Sequence, residues 1–247
     1  MQYMLIHAID ENAELDNAQL ANQQAVLDKW IQDVVSVGVD LHGSRLRPTA
    51  AATTVKVRNG QLLVTDGPFA DTKEQVAGYD VLECASLDEA LEWAPRHPTA
   101  LIGSIEVRPF YGGPPSAPLP APKGGKTRYM LLVCLGEDFA MGPEDSAEMG
   151  PATDTWVKET EANGVRLCGS RLEATDHAKT VRVKGDQVLV TDGPFAETKE
   201  QIAGFDILEC ADIDEALEVA EAHPMAKFGL LEVRPFWPFA ATYAGAA

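Results

Sequence analysis

Two stretches of this sequence concentrate side chains able to do chemistry, and they are near copies: Thr65-Asp66-Gly67-Pro68-Phe69-Ala70-Asp71-Thr72-Lys73-Glu74-Gln75 and Thr191-Asp192-Gly193-Pro194-Phe195-Ala196-Glu197-Thr198-Lys199-Glu200-Gln201. Asp66 and Asp192 offer carboxylates for acid–base work or polar recognition. Arg45 and Arg171 each follow a Gly-Ser bend, and a guanidinium there suits an anionic group or a carbonyl oxygen. Phe69 and Phe195 supply an apolar wall. His42 adds an imidazole three residues before Arg45, whereas Cys168 takes its place in the second stretch. The predicted ligand-binding set is therefore His42, Arg45, Asp66, Phe69, Arg171, Asp192 and Phe195, with Asp66 and Asp192 as the candidate catalytic residues. A purely structural role also fits. Asp can hold an Asx turn, Gly tolerates the backbone before Pro, and Phe anchors the loop by burial. Thr72-x-x-Gln75 and Thr198-x-x-Gln201 read as capping boxes for a short helical turn, with Lys73-Glu74 and Lys199-Glu200 as surface charge.

The remaining reactive residues form no recognisable pattern. His97 and His223 sit at matching helix ends before proline, where a cation is favoured. His7 stands opposite Val133 in the repeat, and His177 lies in a polar turn. Cys84, Cys134, Cys168 and Cys210 show no Cys-x-x-Cys spacing, which suits buried, reduced thiols. No spacing points to a metal centre, a nucleophile elbow or a dinucleotide-binding turn. No cofactor is expected.

The elements that must position these residues occur twice. Residues 3–9 and 129–135 are apolar at odd and even positions alike, the pattern of a strand covered on both faces. A helix follows through Leu20, Leu27, Trp30, Ile31, Val34 and Val35 to Gly38, and its counterpart runs from about Pro151 to Gly164. A strand carries Arg45 or Arg171. A hairpin follows, turning at Asn59-Gly60 in one copy and at Gly185-Asp186 in the other. Beyond the signature loop come a strand, a second helix opened by Ser86-x-x-Glu89 or Asp212-x-x-Glu215, and a last strand ending in Glu-Val-Arg-Pro-Phe.

Shifting the chain by 126 residues superimposes it on itself without a gap, and 24 of 33 positions agree between Asp66–Pro98 and Asp192–Pro224. This is a duplication. The expected domains are residues 1–110 and 127–238, with a linker over 111–126 and an aromatic tail over 239–247. The linker holds five prolines and four glycines, which exclude a helix or a central strand. The order strand, helix, strands, helix, strand predicts an α+β fold of two ferredoxin-like domains. A first strand apolar on both faces predicts that the two domains pack sheet to sheet, an internal pseudo-dimer. The tail beginning Trp237-Pro238-Phe239 is expected to pack rather than to stand in solvent.

The formal charge of −18, from 38 acids against 20 bases, disfavours nucleic-acid backbones and anionic membranes as partners. No apolar run approaches the ~18 residues of a membrane helix. Met1-Gln2-Tyr3-Met4 carries no basic leader, and a cytoplasmic protein is expected.

The run from hairpin through Asp-Gly-Pro-Phe to Thr-Lys-Glu-Gln, present twice, resembles the Asp-Gly-Pro-Phe branch of the YCII-related family. The resemblance implies a ferredoxin-like domain that pairs into a dimeric α/β barrel, here in one chain, acting as a monomer or a homodimer. It also implies a bacterial protein of a group mostly without known function, some members being encoded near alternative sigma factors. A few relatives are enzymes, among them a dehydrochlorinase with a His–Asp pair whose histidine lies on the first helix. Leu27 and Thr153 fall at that place here, so that dyad is missing. The expected function is binding of a small anionic or aromatic molecule in a pocket of each domain. The alternatives are a lyase or dehydrochlorinase using Asp and Arg, and a regulatory partner linked to a sigma factor.

Overall fold

The computed structural model describes residues 1–112 and 117–238. Phe239 and the rest of the predicted tail lie outside the described residues. The first repeat forms β1 (Gln2–Ile9), α1 (Asn17–Val37), β2 (Asp40–Arg45), β3 (Thr53–Arg58), β4 (Gln61–Asp66), β5 (Gln75–Glu83), α2 (Leu87–Trp93), α3 (Thr99–Ile102) and β6 (Gly103–Pro109). The second forms β7 (Thr127–Gly136), α4 (Pro143–Ala162), β8 (Arg166–Arg171), β9 (Lys179–Lys184), β10 (Gln187–Asp192), β11 (Glu200–Cys210), α5 (Ile213–Ala222) and β12 (Leu230–Pro235).

Local chemistry explains these boundaries. Asp16 and Gln19 close a reciprocal capping box on α1, each side chain accepting the other's backbone N–H at 2.8 Å, which satisfies two of the helix's orphan donors. Gly38, at φ 74°, ends the helix in the left-handed region. α4 starts at Pro143 rather than at the expected Pro151, because Pro143 takes the first-turn position that needs no N–H donor. Pro151 is carried inside the helix. At the β3–β4 turn both Asn59 (φ 53°) and Gly60 (φ 72°) are left-handed, as a two-residue primed turn requires.

The protein is α+β, with two antiparallel six-stranded sheets among the described residues, ordered β10-β9-β6-β1-β5-β2 and β4-β3-β12-β7-β11-β8. In each, the four strands β6-β1-β5-β2 or β12-β7-β11-β8 keep the ferredoxin-like order. The fifth and sixth strands come from the other repeat. Hairpin β9–β10 joins β6 with Ile105 opposite Val181, and hairpin β3–β4 joins β12 with Leu231 opposite Val55. The compact units therefore cut across the repeats. One gathers Met1–Arg45, Asp71–Pro118 and Arg171–Glu197; the other gathers Leu46–Ala70, Leu119–Ser170 and the chain from Thr198 onward.

Within the first unit, Tyr3 and Leu5 of β1, Leu82 of β5 and Val181 of β9 pack against Trp30 and Val34 of α1 and Ala90 of α2. The second unit repeats this with Leu131, Leu208, Val55, Trp156 and Ala216. Each buried indole finds an acceptor, Trp30 Nε1 donating to Trp93 O and Trp156 Nε1 to Val219 O, both at 3.1 Å. The opposite face of each sheet is buried too, through Met4, Ile6 and Val81 in one and Met130, Leu132 and Ile207 in the other. That agrees with first strands apolar at every position. No helix among the described residues is long and apolar enough to cross a membrane.

Candidate functional site

The signature loops are fastened by a motif at the far end of each repeat. Phe195 N–H donates to Glu106 Oε2 at 3.0 Å, and Phe69 N–H to Glu232 Oε2 at 2.8 Å. Both glutamates are fully buried and each pairs with the arginine two residues on, Arg108 or Arg234. Those arginines also donate to the Glu173 and Arg47 carbonyls at 3.0 and 3.1 Å. A buried carboxylate is tolerated only with such partners, so Glu-Val-Arg-Pro is the socket for Asp-Gly-Pro-Phe. Thr54 and Thr180 add side-chain bonds of 2.8 Å to the Gly67 and Gly193 carbonyls.

The other expected site residues are spread around this socket. Asp66 ends β4 opposite Thr53, exposed. Asp192 ends β10, exposed, and pairs with Lys179. Arg45 ends β2 opposite Gly78. Arg171 lays its guanidinium 3.9 Å above the Tyr111 ring. His42 is buried with Nδ1 3.1 Å from the Tyr79 hydroxyl. Arg45 and Asp66 fall in different compact units, whereas Arg171 and Asp192 share one. No helical turn forms after the loops. Thr72 Oγ1 and Thr198 Oγ1 instead donate to the carbonyls two residues on, bending the chain directly into β5 and β11. Nor is Glu74 a surface charge, since it accepts from Ser104 Oγ at 2.6 Å and pairs with Arg182.

The densest group of titratable side chains lies elsewhere, under Trp30 in the first unit. His7 Nε2 stands 2.9 Å from Asp80 Oδ2, and His97 Nε2 stands 3.8 Å from the same oxygen. The two imidazoles are 4.1 Å apart between centroids, and the Trp30 ring meets His97 edge-on at 4.8 Å. All three polar residues are buried. Gly43 makes the room: a Cβ there would come within 1.8 Å of Asp80 Oδ1. Burial pushes the Asp80 carboxyl up, and His7 partly offsets it. Asp40 is pushed up to about 7 by burial and then by Asp80. His97 is driven well below the usual histidine value by burial and by His7. It is therefore neutral rather than the expected helix-end cation.

At the matching place the second repeat keeps the aspartate and changes its company. Arg166 replaces Asp40 and Val133 replaces His7. Arg166 Nε donates to Asp206 Oδ1 at 2.6 Å, with His223 Nε2 3.6 Å from Oδ2. Burial raises Asp206 to about 6 against the pull of Arg166, and lowers His223 to about 4. His223 is likewise a neutral ring, not a cation. Gly169 repeats Gly43, its Cβ position lying 2.0 Å from Asp206 Oδ1.

The duplication seen in the fold agrees with the sequence comparison, which decides the family. The model of the YCII-related domain matches residues 1–111 and again 127–240. The chain belongs to the YCII-related family. An uncharacterised protein of Rhizobium meliloti (strain 1021) is 52% identical to this YCII-related chain over 69 residues, 27% of the chain and 56% of that protein. The match thus spans about half of that relative's length. A heme-binding protein from Thermus thermophilus is similar in structure, with a TM-score of 0.48 at 10% identity, covering 96% of this chain and 91% of that one.

In the first YCII-related repeat, hydrogen bonding fixes what the cluster can do. Thr99 N–H donates to His97 Nδ1 at 3.2 Å, so the neutral ring carries its proton on Nε2, facing Asp80. Two histidines and a carboxylate make a donor set suited to zinc, and these atoms lie within 4.8 Å of one another. Coordination through His97 Nε2, however, would move that proton to Nδ1, into the Thr99 N–H. The arrangement is better suited to holding and passing a proton. His7 Nε2 and Asp80 Oδ2 face each other across 2.9 Å, and neither atom has a hydrogen-bond partner among the described residues. Gly78 keeps a side chain away, since a Cβ there would lie 3.4 Å from His7 Nδ1 and 2.8 Å from Ser44 O.

This group is hidden in the sequence because its members stand at positions 7, 80 and 97. One signal was present: His7 against Val133 and Asp40 against Arg166 are charge-changing differences between otherwise similar repeats.

Proposed function

We propose that this protein binds a small molecule through its first repeat, with His7, oriented by Asp80, exchanging a proton with it. The observation that carries the proposal is the 2.9 Å contact between His7 Nε2 and Asp80 Oδ2, set against a second repeat in which arginine and valine stand instead. An aspartate that serves burial alone has a permanent cation available in this fold, as Asp206 has in Arg166. The first repeat pairs its aspartate with an imidazole, a group able to give and to take a proton, which is the pairing proton chemistry needs. Turnover of the lyase type is the second reading, favoured by the same His–Asp proximity, with His7 as the base and Asp80 beside it. The signature loops then contribute shape, set by Glu106 and Glu232, and Asp192, Arg45 and Arg171, of the same compact unit as His7, are proposed to select ligand charge.

A thermal-shift screen of small anionic and aromatic metabolites tests this. Compounds that raise the Tm of the intact protein are expected to lose their effect in His7→Val and to keep it in Asp206→Asn. A compound that stabilises both variants as well as the native chain would place binding away from the cluster.

A further inference from the structure

The four sheet edges of this protein are finished in two different ways. β2 is interrupted by a bulge between Asp40 and His42, holds Gly43 and carries charge at both ends, Asp40 and Arg45. β8 holds Gly169 between Arg166 and Arg171. Charges, bulges and glycines are how natural sheets prevent their edges from pairing with other chains. β10 and β4 lack these devices except for one aspartate at the last position. β10 reads Gln-Val-Leu-Val-Thr-Asp and β4 reads Gln-Leu-Leu-Val-Thr-Asp, with no proline, lysine or glycine in either. β10 pairs with β9 without a register shift through six consecutive pairs, Gln187↔Lys184 to Asp192↔Lys179. Val188, Leu189 and Val190 are 51%, 38% and 48% exposed. In β4 the exposed apolar pair is Leu63 and Val64, while Leu62 packs into the core.

We propose that β10 is an interaction edge and that its partner is the β10 of a second copy of this chain. In an antiparallel ladder directly opposed residues face each other with the same hydrogen-bonding sense. A two-fold centred on Leu189 meets that condition. It sets Leu189 on Leu189, Val188 on Val190 and Gln187 on Thr191, so every exposed apolar side chain of the strand meets another. The run from Gln187 to Thr191 is free of charge, and at each end Asp192 of one copy lies opposite Asp186 of the other, with Lys179 pairing that Asp192. The self-complementary order is what an isologous interface requires. The main-chain N–H and C=O groups along the strand edge supply the ladder, as in strand addition.

Sedimentation equilibrium over a wide concentration range tests the assignment. The native chain is expected to move from 26.6 kDa towards twice that mass as concentration rises. Leu189→Lys, which opposes two lysines at the two-fold, should weaken association on the order of a hundredfold. Leu63→Lys in β4 should associate like the native chain. Hydrogen exchange on the native protein serves as a second readout, with Val188, Leu189 and Val190 amides becoming more protected as concentration rises. A native chain monomeric throughout, dimers that survive Leu189→Lys, loss of dimers in Leu63→Lys alone, or β10 protection independent of concentration would each overturn the proposal.

Discussion

His7 of β1 faces Asp80 in one repeat, whereas in the other Arg166 of β8 faces Asp206 and Val133 takes the place of His7, each group under an equivalent tryptophan. Both arrangements keep a buried carboxylate alive, but the groups chosen differ in one property. A guanidinium stays charged at any pH a protein meets, so the second repeat is fixed in one electrostatic state. The first repeat surrounds its aspartate with two imidazoles, of which burial holds His97 neutral, and with Asp40, whose carboxyl burial pushes up to about 7. One fold position can thus be given to permanence or to proton exchange, and duplication lets a single chain hold both.

The largest test removes the permanent charge. Arg166→Met leaves Asp206 buried beside no cation and is expected to cost about 3–5 kcal/mol in urea unfolding. His7→Val should cost clearly less, because Asp80 can take up a proton. Equal losses would break the comparison. Next comes transplantation. His7→Val with Asp40→Arg rebuilds the second repeat's arrangement in the first, and stability at pH 8 is expected to rise by about 1–2 kcal/mol while ligand-induced Tm shifts disappear. A double variant that still responds to ligand would separate the cluster from binding.

Asp40 alone gives a smaller and pH-shaped effect. Its folded value of about 7 stands above its ordinary 3.8, so the folded state holds the proton more tightly. Its contribution to stability is therefore most favourable at low pH and is lost as pH rises from about 4 to about 7, after which it is constant. The gain in Tm from Asp40→Asn should be absent near pH 4, grow up to about pH 7 and then level off. A gain independent of pH would mean that burial does not penalise the Asp40 charge. The smallest effect concerns the helix ends. Asp16→Ala removes the capping box of α1 and should cost about 0.5 kcal/mol, seen as a small Tm decrease. α4 is capped by Gly142, which has no side-chain cap bond to lose.

Local order was legible in the sequence where local forces decide it. The both-face apolarity of Tyr3–Ile9, the Asn59-Gly60 turn and the Ser86 cap each translate directly into backbone. What escaped was non-local. Alternation in Thr54–Arg58 says that a hairpin forms, but any free edge with a complementary apolar row could receive it, so the exchange of hairpins was invisible. The same holds for the site. Asp66 and Asp192 stood out because they are bracketed by Gly and Pro, yet their surroundings are exposed. Asp80 and Asp206 sit unmarked inside Tyr79–Ala85 and Phe205–Ala211 and gain meaning only from strands and helices far along the chain. Glu106 and Glu232 carry no local mark either, although an acid two residues before an arginine on a buried face needs a partner on every oxygen.

The hairpin exchange has a consequence for how the protein is made. Val55 waits for Leu231 in the final strand of the second repeat, so β3 and β4 stay without their neighbour until that repeat has been made. Pairings that distant are slow to form, and a nascent chain stopped between the repeats carries an apolar hairpin with nowhere to dock. Each half is thus the other's chaperone, and neither cut piece is expected to persist in cells without its complement.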